Sequence, residues 1–232
     1  MLLAIVLLVL TAIIGYLAGS FPSGVIVGKV RGVDVLAQGS GHTGTTNVLR
    51  TAGGKAAIAV LVLDLAKGAL AVLLARYLIF PASANPTGGL DLAPWAELVA
   101  GVAAVLGHNY SLFLHFKGGR GVATGGGVAL AMNPLVVAIA LPLGAVPVVL
   151  TRYVSLGSIT AAALCPIFEL IFIFTRIDPS WAHFAFMLIG GSIIIASHHD
   201  NISRLLNGTE RKLGQKLTPS PETHTTPEAK TS

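Results

Sequence analysis

The sequence predicts an all-α integral membrane protein of about seven transmembrane or membrane-embedded helices, with the N-terminus outside and the C-terminus cytoplasmic. Three observations predict it. The 232 residues are 53% hydrophobic and only 11% charged, with a mean hydropathy of +0.78, whereas soluble domains carry roughly a quarter charged residues. Apolar stretches recur along the chain at about the length that spans a bilayer. Lysines and arginines gather in alternate connections between those stretches.

The first apolar segment runs over 2–28. No Lys or Arg precedes Lys29 and no small-residue cleavage site follows, so the charged start of a signal peptide is missing and the segment reads as a retained helix that begins outside. Further segments fall at 55–79, 94–114, 121–132, 134–151, 155–174 and 181–197. The fourth is short for a span. Asn133-Pro134 either splits 121–151 into two helices or kinks a single one, because membrane bundles tolerate proline. Residues 1–217 read as one membrane domain. The tail from Thr218 to Ser232, TPSPETHTTPEAKTS, has the composition of a disordered segment.

Charge placement tests this count. With the N-terminus outside, Lys29, Arg31, Arg50, Lys55, Lys117, Arg120, Arg152, Arg204, Arg211, Lys212, Lys216 and Lys230 lie inside. Only Arg76 and Arg176 lie outside, and Lys67 is within a helix. Positive residues stay preferentially inside, and six segments would send the basic C-terminal stretch out. The same topology brings every glycine- and histidine-rich segment to one face.

Three of those segments carry chemistry. In GSGHTGTTNVLR, 39–50, Gly39 and its neighbours let backbone N–H groups turn toward an anion. Ser40, Thr43, Thr45, Thr46 and Asn47 add neutral donors and Arg50 adds a charged fork. A P-loop needs Lys where Thr45 stands, which argues against ATP hydrolysis; the bland alternative is a flexible connector. In KGGRGVATGGG, 117–127, Lys117, Gly118, Gly119, Arg120 and Gly121 precede a helix whose N-terminus favours phosphate. Taken alone, the same residues suit a topology anchor with close helix packing. In HHDNISRLLNGTERK, 198–212, His198 and Asn201 share a face if helical and can orient a hydroxyl substrate.

Asp64 and Lys67, three apart inside a helix, read as a structural ion pair with substrate contact as the alternative. The single cysteine, Cys165, excludes a disulfide framework or thiolate cluster, and adjacent His198, His199 and Asp200 point apart, so no metal and no cofactor are expected. No GxSxG elbow occurs.

These segments together resemble the bacterial membrane-embedded glycerol-3-phosphate acyltransferases that use acyl phosphate as donor. GSGHTGTTNVLR is similar to that family's GSGNxGATNxxR, FKGGRGVAT (116–124) to FKGGKGVAT, and the stretch from His198 through Asn201, Arg204, Gly208 and Glu210 to Lys212 to HxxNIxRLxxGxExK. LDLAKG at 63–68, GH at 107–108 and YVSLGS at 153–158 also look like family segments. The resemblance implies acyl transfer to the 1-hydroxyl of sn-glycerol 3-phosphate, giving 1-acyl-glycerol 3-phosphate (lysophosphatidic acid) and phosphate. It implies that Ser40, Arg50 and Arg120 bind phosphate while His198 and Asn201 position glycerol 3-phosphate. Ser40, His198 and Asn201 are thus the expected catalytic set, with His42, Asp64, Lys67 and Glu210 in support.

The chain departs from the pattern at His42, where Asn is usual, Thr45 for Ala, Arg120 for Lys and Ser111 for Pro. The HxxxxD pair of acyl-CoA or acyl-carrier acyltransferases is absent. The implied partners are the two substrates and the lipid bilayer, with no nucleic acid and no obligate protein partner. The competing class is a small transporter of an anionic phosphorylated solute, which predicts polar groups at the membrane midplane rather than at one face.

Overall fold

The computed structural model describes residues 2–80 and 91–215; the expected disordered tail over 218–232 lies outside them. Among the described residues the regular structure is helical. Helix α1, Leu2–Ser20, is followed by α2, Ser23–Val30, so the first apolar segment is interrupted. Pro22 lacks an N–H and biases Phe21 away from helix, which is why the break falls there. A short α3, Thr45–Thr51, leads to α4, Gly54–Leu74, and α5 spans Ala93–Asn109.

The ambiguity over 121–151 resolves into two helices, α6, Val122–Met132, and α7, Pro134–Thr151. Asn133 caps α7 by accepting from the Leu135 N–H at 3.1 Å, and Pro134 occupies the first helical position, where a missing N–H costs nothing. Helix α8 is Val154–Phe174, α9 is Trp181–Ala196 and α10 is His199–Leu206. The last two meet at 60°.

Five stretches are long and apolar enough to cross a membrane: 2–30, 54–79, 93–114, 134–151 and 154–174. A sixth appears if α9 and α10 count as one bent span. At 11 residues, α6 reaches only about 16 Å. The expectation of about seven membrane segments therefore becomes five or six candidate spans plus one short apolar helix.

Helix α1 packs on α5, α4 on α6, and α8 between α7 and α9. Lipid supplies no hydrophobic drive for helix association, so small residues allow backbones to touch instead. A Cβ on Gly19 would lie 2.0 Å from Ala104 O, and one on Gly127 2.0 Å from Leu65 O. Val72, Val105, Val128, Phe186 and Met187 fill the centre. Ile58, Val62, Leu141, Val149 and Leu150 stay exposed on the outside, as a lipid-facing surface requires.

Four contacts gather the polar segments at one end of the bundle. Thr43 N donates to Gly118 O (3.4 Å) and Leu213 N to Arg152 O (2.8 Å). Arg50 Nη2 donates to Arg211 O (3.3 Å) and Arg120 Nε to Ser197 O (3.2 Å).

Candidate functional site

The first wall of the site is the turn before α3, and Asn47 organises it. Its Oδ1 accepts from Ser40 N at 2.8 Å. Its Nδ2 donates to the carbonyls of Val35 (2.8 Å), Gln38 (3.1 Å) and His42 (2.9 Å). Gly39 is at φ +68°, and a Cβ there would sit 2.1 Å from Asn47 Oδ1. Asn47 is buried and its amide fully engaged, so its role is to shape the loop rather than to contact phosphate as the sequence reading held. Ser40, Thr46 and Arg50 remain half-buried around the loop, and the Thr45 hydroxyl is buried with no partner among the described residues.

The second wall follows α5. His115 and Phe116 both adopt positive φ, 53° and 62°, an uncommon conformation for bulky residues. They turn the chain sharply into the glycine run. Gly119 N donates to His108 O at 3.1 Å, and a Cβ on Gly118 would meet that same oxygen at 2.1 Å. Gly121, at φ +78°, opens α6. Lys117 is exposed and turned to a neighbouring hollow with Lys29, Asp34 and Phe113; the structure therefore does not bring it together with Arg120.

The third wall is the bend between α9 and α10. His198 Nδ1 lies 2.8 Å from Ile194 O, so that nitrogen carries the hydrogen and Nε2 is left as an acceptor. His198 sits at the boundary of α10 and Asn201 in its first turn, both buried. Asn201 Nδ2 donates to Glu210 Oε1 at 2.7 Å, while its Oδ1 is buried without a partner.

Glu210 also accepts from Ser155 Oγ (2.8 Å) and Arg204 Nε (2.8 Å). Burial pushes its carboxyl up, but the donors of Asn201, Arg204 and Ser155 prevail and hold it below the usual carboxylate range. Asn201 is thus locked by its amide nitrogen, and its buried carbonyl oxygen keeps an unused acceptor.

Beneath the glycine run, Lys67 Nζ pairs with Asp64 Oδ1 at 2.8 Å and donates to Phe21 O at 3.0 Å. Ser23 Oγ donates to the same carboxylate, and His108 Nδ1 lies 3.6 Å from it. The ion pair expected from the sequence is thus formed. It ties the α1–α2 break to His108, which in turn holds Gly119.

Sequence reasoning assigned no role to Ser155, Ser197, Asn109 or Arg211. Asn109 Nδ2 donates to Ser197 Oγ at 2.8 Å, and Arg211 Nη1 to Gly39 O at 3.3 Å. Only Ser155 had a visible signal, in YVSLGS.

Electrostatically the site favours an anion. Burial and then neighbouring Arg211 push the Arg50 guanidinium down from its ordinary value; burial and Arg204 do the same to Arg120. Guanidinium groups stay charged regardless, and a phosphate between them relieves the repulsion. No three His, Cys, Asp or Glu side chains converge at this end among the described residues.

His42 joins the walls, its Nδ1 lying 3.1 Å from Gly118 O. Burial, and then Arg120, hold the imidazole below its ordinary value. A histidine lowered in the folded state stabilises the fold above its unfolded value, about 6.5, and that contribution is lost as pH falls through it toward the folded value. Thermal melts between pH 7.5 and 5 should therefore show an acid-side drop that is smaller in His42→Asn; identical profiles would remove His42 from this role.

A family model described as glycerol-3-phosphate acyltransferase matches residues 9–208. A glycerol-3-phosphate acyltransferase of Rippkaea orientalis is 44% identical over 217 residues, covering 92% of this chain and 96% of that protein. One of Thermoanaerobacter sp. (strain X514) is 46% identical over 209 residues, covering 90% and 96%. The crystal structure of PlsY (YgiH), an integral membrane glycerol 3-phosphate acyltransferase, in its glycerol 3-phosphate form superposes with a TM-score of 0.76 at 35% identity, over 89% of this chain and 96% of that one. Its lysophosphatidic acid form gives 0.75 at 35% identity, over 89% and 95%.

Proposed function

The chain belongs to the glycerol-3-phosphate acyltransferase family, and on that premise we propose that it uses acyl phosphate as donor and acylates the 1-hydroxyl of sn-glycerol 3-phosphate. The products are 1-acyl-glycerol 3-phosphate and inorganic phosphate, and the site faces the cytoplasm from a bacterial inner membrane. One observation carries this reading above others. Two guanidinium groups and a glycine run share one end of the bundle with two acceptors that have no donor among the described residues, His198 Nε2 and Asn201 Oδ1.

The donor phosphate binds Arg120, Ser40 and the backbone N–H groups of Gly118, Arg120 and Gly121, with Arg50 adding charge; the Gly119 N–H is held by His108 O. His198 and Asn201 accept from the glycerol hydroxyls and aim the 1-oxygen at the acyl carbonyl carbon. A carbon–oxygen bond forms there, the bond to the phosphate oxygen breaks, and an oxygen of the departing phosphate takes the hydroxyl proton. Catalysis then comes from proximity and from stabilising charge on the leaving phosphate, with no protein base required. The acyl chain has an apolar crevice between α6, α7, α8 and α9, lined by Val122, Ala129, Ala140, Ala162 and Phe186.

Purified protein in detergent should release phosphate from acyl phosphate only when glycerol 3-phosphate is present. Turnover with acyl-CoA but not acyl phosphate would overturn the donor assignment. Uptake of glycerol 3-phosphate into sealed vesicles without chemistry would favour transport instead.

A further inference from the structure

A second polar cluster lies at the other end of the bundle, unused by the chemistry above. His183 sits in the first turn of α9, about 22 Å along the helix from His198. Glu169 on α8, Asp178 in the α8–α9 connection and His183 place one ligand atom each within 4.8 Å of one another. Glu169 is fully buried, and its Oε1 has no hydrogen-bond partner among the described residues. A buried carboxylate oxygen without a donor is costly unless a cation or proton meets it.

The surrounding groups orient the cluster without neutralising it. Arg76 forks onto Glu97 with two contacts of 2.7 Å, so its charge is taken. Glu97 Oε2 faces His183 Nε2 at 3.2 Å, leaving His183 Nδ1 directed at Asp178 Oδ2, 2.8 Å away. A carboxylate that holds the far nitrogen of an imidazole is the usual support for a metal-ligating histidine. Asn133 Nδ2 donates to Glu169 Oε2 at 2.9 Å and to Asp178 Oδ2 at 3.2 Å. Arg176 is on an exposed turn. Among the described residues, two carboxylates therefore face one imidazole with no free positive side chain between them.

We propose that Glu169, Asp178 and His183 bind a divalent ion of the borderline class, such as Zn²⁺, as a structural clasp joining α8 and α9 at the end distant from the acyl-transfer site. One nitrogen and two carboxylate oxygens suit such an ion better than Mg²⁺, which prefers an all-oxygen octahedron. The edge of a zinc tetrahedron is about 3.4 Å, and the three ligand atoms lie within 4.8 Å of one another. Binding displaces the proton shared by His183 and Asp178, which leaves to solvent.

The test is calorimetric titration of untagged, chelator-stripped protein in detergent with Zn²⁺, and separately with Mg²⁺. One Zn²⁺ per chain is expected, with affinity weakened at least about tenfold, the usual loss for even a supporting residue, in Glu169→Gln and in Asp178→Asn. Absence of stoichiometric Zn²⁺ uptake, a preference for Mg²⁺, or unchanged affinity in both variants would overturn the proposal. Arg120→Ala should bind Zn²⁺ normally, so this inference stands or falls separately from the acyl-transfer reading.

Discussion

Arg120→Ala is expected to slow phosphate release from acyl phosphate by roughly 10²–10³-fold, the usual cost of deleting one donor to a developing anion. The fold should survive the change. The side chain is half-buried, makes one long hydrogen bond to Ser197 O, and is pushed down from its ordinary value by burial and then Arg204. Removing it relieves repulsion rather than opening a core cavity, so helical content and melting temperature should hold. Arg120→Lys keeps the charge but loses the planar fork, and should recover most of the rate because the backbone N–H groups of the glycine run remain. A normal rate in the alanine variant would remove Arg120 from the site.

Gly118→Ala should lower activity by about 10²-fold through geometry alone, since a misplacement of about 1 Å at a reacting centre costs that much. The new Cβ would lie 2.1 Å from His108 O and 2.6 Å from Asn109 O, backbone atoms at the end of α5 that have nowhere to go. The loop must move, and Gly118 O then leaves both Thr43 N and His42 Nδ1, which are the direct link between the first two walls. Gly15→Ala is the matched control, because its Cβ meets Ala100 O at 2.6 Å in the packing of α1 on α5, away from the loop. Equal loss in both variants would show that general helix packing, not the loop, was being measured.

Much of this molecule was legible before any coordinates. Hydropathy and charge asymmetry identify the membrane class because both are sums over many residues and tolerate local error. The three signature segments announced a phosphate site through residue type, and their meeting at one end agrees with that. Role assignments within them were harder. Asn47 looks like an anion donor in the sequence, and only its four bonds to Ser40, Val35, Gln38 and His42 reveal a loop organiser. Lys117 and Arg120 look equivalent in the sequence, but Lys117 lines a hollow with Lys29 and Asp34 while Arg120 reaches Ser197 O.

The cluster around His183 was unreadable for a related reason. Arg76, Glu97, Asn133, Glu169, Asp178 and His183 are scattered over more than a hundred residues of chain, and no local spacing relates them. Each looks like an isolated polar interruption of an apolar helix. Their meaning exists only in the packing of α9 against α5 and α8.

Glu210 has a consequence for how the protein comes to life on the ribosome. Chains gain structure from the N-terminus as they are made, so α1 to α10 emerge before residue 210. Until that carboxylate arrives, Ser155, Asn201 and Arg204 lack the acceptor that fixes them. A nascent chain can thus have all its helices inserted while the contacts that fix Asn201 and Arg204 are still missing.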